Sequence, residues 1–179
     1  VTEPRLAPGT RRQVGLLGYL VSRISGRVSG TGPPNLFLTL GRNRRLFWGW
    51  LHFGGSLMPG GRLPRRDTEL VILRVATLRS CDYELEHHRH LAGRAGLDAA
   101  AIARVADGPD AEGWSARERV LLAAVDELHA QQDLTDATWE ALAAHLDDRQ
   151  RIELVMCVGH YEMLATSIAA LRIQPDRRA

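Results

Sequence analysis

The stretch from Glu69 to Gly96, ELVILRVATLRSCDYELEHHRHLAGRAG, constrains the fold more than any other part of the chain, because it carries polar groups along apolar stripes. It reads as two consecutive helices. Wound at about 100° per residue, its second half gathers Cys81, Glu84 and His88 into a sector of roughly 60°, shared with Leu85, Leu91, Ala92 and Ala95. Asp82, Glu86, Arg89 and His90 fall on the opposite side, where water hydrates them. A buried polar group costs about 1–3 kcal/mol unless it finds a partner. The thiol, carboxylate and imidazole therefore need one another, a ligand or a fourth group, and Glu69 on the preceding helix is the candidate for the fourth.

The rest of the chain also reads as helix. Asp67 or Thr68 is an N-cap candidate for the helix bearing Glu69, which runs to about Leu78, with a bend over Arg79 to Asp82. Gly96 closes the second helix, and Leu97-Asp98 opens a short one. Ser115 with Glu118 makes a capping box for ARERVLLAAVDELHA, Thr135 caps TWEALAAHL, and a long apolar run follows to Leu171. No segment sustains period-two alternation, so the chain is expected to be all-α. RDTELVILRVA and RQRIELVMCVG are alike enough to hint at an internal repeat of two helical hairpins, with Glu69 answering to Glu153.

Towards the N-terminus, RRQVGLLGYLVSRISGRV is expected to form an amphipathic helix. Its apolar core is too short to span a bilayer and no small-residue cleavage site follows it. The breaker cluster GTGPPN then divides the chain into an arm, residues 1–30, and a helical domain, residues 31–179.

Composition removes several chemistries. A chain of 179 residues, 45% hydrophobic and 25% charged, suits one soluble domain with a sizeable core. All 23 basic residues are Arg, so Schiff-base chemistry, a covalent pyridoxal phosphate and a P-loop lysine are absent. With a formal net charge of +2, the arginines reflect base composition rather than nucleic-acid binding, and no nucleic-acid partner is expected. Cys81 and Cys157 are far apart in sequence, which argues against a disulfide framework and for a reducing, cytoplasmic compartment. Glu84-Leu-Glu-His87 is a lone Glu-x-x-His without the second copy that a dinuclear site needs. His87, His88 and His90 diverge around the helix, so neither a metal nor another cofactor is expected.

Glu69, Cys81, Glu84 and His88 within RDTELVILRVATLRSCDYELEHHRHLAGRAGL resemble the motif of the carboxymuconolactone decarboxylase and alkylhydroperoxidase D superfamily. GHYEMLATSIAAL resembles that superfamily's closing helix, and the likeness runs from about Gly32 to Pro175. The resemblance implies an all-α bacterial homo-oligomer, a trimer or hexamer, with active sites near subunit contacts and a small-molecule substrate.

Two chemistries follow from it. In the peroxidase branch a glutamate, a Cys-x-x-Cys pair and a histidine reduce peroxides. Here Glu84 replaces the second cysteine, and a carboxylate neither resolves a sulfenic acid nor lowers the pKa of Cys81. In the decarboxylase-like branch a histidine and carboxylates do general acid-base work. Glu84 and His88, four residues apart on a helix, can hydrogen-bond directly. The residues favour this second branch: decarboxylation, lactone or tautomer conversion of a small organic acid or carbonyl compound by His88, Glu84 and Glu69, with Cys81 lining the pocket. Arg74 or Arg79 would hold a substrate carboxylate, and Tyr83, His160 and Tyr161 are further candidates for substrate binding. A thiol peroxidase using Cys81 and a non-catalytic oligomeric scaffold are the two alternatives.

Overall fold

The structure, a computed structural model, describes residues 3–176. Its helices, in order, are α1 (Arg11–Val14), α2 (Leu16–Ser29), α3 (Asn35–Leu40), α4 (Arg44–Leu57) and α5 (Arg65–Leu78). They continue with α6 (Asp82–Arg94), α7 (Ala99–Arg104), α8 (Ala116–Gln131), α9 (Asp136–Ala143) and α10 (Asp148–Leu171). A 3₁₀ turn, Val105–Asp107, follows α7 directly, and no strand occurs among the described residues. The fold is all-α. The described residues fall into two compact units, one holding those up to Ser56 together with those from Thr166 onward, the other Leu57–Ala165.

In the first unit the run read as one amphipathic helix breaks at Gly15, whose φ of +84° separates α1 from α2. The buried side of α2 is made of Gly18, Ser22 and Gly26. A Cβ on Gly26 would stand 2.1 Å from the Gly32 carbonyl oxygen, so only glycine permits that approach. The larger apolar residues of α2, among them Leu16, Leu17, Leu20 and Ile24, point outward. Phe37, Phe47 and Trp50 pack edge-on and tilted, with ring centroids 5.0–5.9 Å apart.

The second unit is built around α5, which is buried from Asp67 to Ala76 on every face. Leu70 and Leu73 meet Ala92 of α6, Val105 and Leu122 of α8 in one apolar cluster, each large aliphatic side chain contributing about 1.5–3 kcal/mol by leaving water. Such burial obliges the polar residues of α5 to find partners. Asp67 accepts from Arg117 Nε at 2.8 Å, and Arg74 grips both oxygens of Asp126 at 2.6 and 2.8 Å.

α5 starts three or four residues earlier than its sequence suggests. Pro64 occupies the cap position and its carbonyl accepts from the amides of Asp67 and Thr68, so neither of those residues is the cap. At the other end Ser80 takes a φ of +48°, and Cys81 N–H reaches back to the Ala76 carbonyl at 2.8 Å. That reversal aims α6 back along α5. The Ser115 capping box, the Thr135 cap and α10 lie where the sequence places them. By length and apolarity α10 could cross a bilayer, with a mean hydropathy of 1.4 over its most apolar window, of which 44% is buried.

Candidate active site

The reversal at Ser80 folds α6 back along α5 so that His88, midway along α6, reaches Glu69 near the start of α5, and a chain of charged groups forms around that contact. Arg65 Nη2 lies 2.6 Å from Glu69 Oε1, and Glu69 Oε2 lies 2.7 Å from His88 Nδ1. On its far side His88 Nε2 is 3.3 Å from Glu84 Oε2, one turn earlier on α6. Glu69 is fully buried, and Glu84 and His88 expose 4% and 6% of their surface. The other carboxylate oxygen, Glu84 Oε1, is buried and has no hydrogen-bond partner among the described residues.

Burial on its own would push the imidazole of His88 down. Hydrogen bonds to Glu69 and then Glu84, with the charges of both, outweigh it and raise His88 from 6.5 to about 9. At neutral pH the ring is therefore an imidazolium that donates one N–H to each glutamate. This arrangement fixes the ring and leaves it no nitrogen lone pair to accept a proton.

Tyr161 of α10 stands edge-on to His88, with centroids 5.2 Å apart at 90°, and His160 lies edge-on to Tyr161 at 5.2 Å. Burial first, then the charge of Glu84, keeps the Tyr161 phenol well above its ordinary value of 10, so it stays protonated. Burial lowers His160, against the pull of the Glu84 charge.

Cys81 is not on the face of α6, as its sequence phase suggests, but at the N-cap position, with φ −95° and ψ 84°. Burial raises its thiol; the amides of Glu84 and Tyr83 pull it down, the charges of Glu84 and Asp82 push it up, and the balance is upward. Both cysteines are free, and burial with the charges of Glu153 and Glu69 lifts Cys157 to about 12.

The structure thus brings Glu69, Glu84, His88 and Tyr161 together, with Cys81 at the head of the same helix. Other candidates are directed elsewhere. Arg74 is committed to Asp126 and to the carbonyls of Val105 and Ala106. Arg79 pairs with Glu162 at 3.4 Å, and Glu162 also takes His129 Nδ1 at 2.6 Å. The ring of Tyr83 is buried and lies 4.9 Å from that of His87. Arg65 was not singled out by sequence, although its i,i+4 spacing to Glu69 is the signal that finds it.

Residues 44–127, which contain Glu69, Cys81, Glu84 and His88, match the carboxymuconolactone decarboxylase family. Solved structures match nearly the whole chain. One is an uncharacterized peroxidase-related protein from Silicibacter sp. TM1040, with a TM-score of 0.82 at 18% identity over 98% of this chain and 95% of that one. The fold is the alkylhydroperoxidase D-like helical fold. A second structure, the alkylhydroperoxidase AhpD core of an uncharacterized peroxidase-related protein from Ralstonia eutropha JMP134, matches with a TM-score of 0.84 at 17% identity, over 98% and 93% of the two chains. A third, a cysteine-to-alanine variant of the debrominase Bmp8 in complex with 2,3,4-tribromopyrrole, gives 0.78 at 19% identity, over 94% and 89%. At these identities the likeness is one of fold. No curated protein matches the sequence.

Proposed function

We propose that this chain is an acid-base enzyme converting a small carbonyl compound by lactone or tautomer chemistry, with Glu84 as the base. The observation that carries the reading is an open oxygen in the array: Glu84 Oε1 is buried and unbonded while Oε2 faces the His88 ring, and Glu69 Oε1, also without a hydrogen bond, still has the Arg65 charge beside it. A substrate C–H bond broken at Oε1 leaves its electron pair in the enolate and its proton on Glu84, and returning that proton to another carbon completes a tautomerisation. His88 and Glu69 act through Glu84 as positioning residues, because an imidazolium beside Glu84 fixes the carboxylate and its charge without taking the substrate proton itself.

The test is deuterium incorporation from heavy water into a panel of unsaturated lactones and ketones, followed by proton NMR. Exchange is expected with the wild-type protein and should fall about 10²–10⁴-fold in Glu84→Gln, the usual worth of general acid-base catalysis. A Gln variant that exchanges at the wild-type rate contradicts the reading.

One observation favours a thiol peroxidase instead. Cys81 sits at the head of α6, where two backbone amides draw its thiol towards the thiolate, and two of the matched structures are named peroxidase-related. On that reading Cys81→Ser abolishes peroxide consumption, and an external thiol must reduce the sulfenic acid. The net upward shift of the Cys81 thiol weighs against it.

A further inference from the structure

The chemistry of the open group decides which molecules the site can hold. Glu84 Oε1 is an acceptor, and a carboxylate oxygen left unbonded in a buried place gains most from a ligand that brings a donor. The charged donors that face the array are turned to its own carboxylates: both ring nitrogens of His88 face carboxylates, and Arg65 Nη2 faces Glu69. The two arginines that would hold a substrate carboxylate are turned to Asp126 and Glu162. Asp82, exposed at the first position of α6, adds another negative charge beside Cys81. A ligand carboxylate at Oε1 would face the like charge of Glu84 in a low-dielectric space, with His88 and Arg65 Nη2 already turned to the two glutamates.

We propose that the site, resting on the acid-base reading above, takes a neutral or cationic molecule that donates an N–H or O–H to Glu84 Oε1, and that it rejects carboxylate anions. The substrate is then an amide, lactam, enol, hydroxy-lactone or amine-bearing ketone rather than an organic acid. Decarboxylation, which requires a bound carboxylate, drops out of the reactions open to this chain.

Three small planar probes of nearly equal size separate the possibilities: acetamidinium, acetamide and acetate. Each is titrated into the wild-type protein while the ring signals of His88 are followed by NMR. Acetamidinium and acetamide should shift those signals saturably, acetamidinium at the lower concentration, and acetate should leave them in place. In Glu84→Gln, checked for folding by its thermal melt, the preference for acetamidinium over acetate should shrink at least tenfold. Acetate binding as tightly as acetamide to the wild type overturns the proposal, as does silence from all three probes. The measurement involves no turnover. Donor-selective binding that depends on Glu84, in a protein that exchanges no deuterium, would sink the acid-base reading and leave the ligand preference standing; exchange with acetate-selective binding would do the reverse.

Discussion

At the scale of single residues, Glu84 separates this chain from a two-cysteine peroxidase. A carboxylate at that position gives His88 a second acceptor, and the ring held between two glutamates becomes a stable imidazolium. The same carboxylate, together with burial, pushes the Cys81 thiol up rather than down. Cys81 is therefore expected to react slowly with a thiol reagent at pH 7, its rate still rising above the ordinary value of 9. Cys157→Ser isolates the signal, and a stopped-flow pH profile reads it. A Cys81 that titrates well below 9 moves the chemistry to the thiol.

At the scale of elements, α5 places the site, and its burial on every face explains why each polar side chain on it has a fixed partner. Arg74 is the clearest structural case, since it ties α5 to Asp126 of α8 and to the carbonyls that end α7 and its 3₁₀ turn. Arg74→Ala should lower stability by about 3 kcal/mol, because a half-buried Asp126 loses its counter-ion, while Glu84-dependent exchange stays unchanged. Urea unfolding and the exchange assay check the two halves of that expectation. Much of this layer was legible in the sequence. The capping box at Ser115, the cap at Thr135 and the i,i+4 pair of Glu84 and His88 rest on spacings of three and four residues, which a helix turns directly into contacts. Pairing of Glu69 with His88 was legible more weakly, as a demand for a partner on the adjacent helix. What sequence hid was the turn: Ser80 adopts a left-handed conformation without the glycine that would have marked it, so Cys81 reads as helical when it is a cap. Nor could spacing show that Arg74 and Arg79 have acidic partners 52 and 83 residues away, which only the packing of α8 and α10 supplies.

At the scale of the whole molecule, α2 turns its small residues inward and its large apolar ones outward. Leu16, Leu17, Leu20, Ile24 and Val28 are each 48–67% exposed. A soluble monomer rarely presents so continuous a face, and the homo-oligomer expected from the superfamily resemblance would cover it. Leu20→Glu with Ile24→Glu should therefore reduce the particle mass measured by light scattering after size exclusion, with the helical content retained. A mass that the double substitution leaves unchanged would place subunit contacts elsewhere.

The account turns on one protonation state, and ¹⁵N NMR of the His88 ring across pH reads it directly. Both ring nitrogens should carry protons through neutral pH and titrate near 9, with Glu84→Gln bringing the transition down. A ring that is neutral at pH 7, titrating at or below the ordinary 6.5, would contradict the array of Glu69, His88 and Glu84 as described, and with it the assignment of Glu84 as the base.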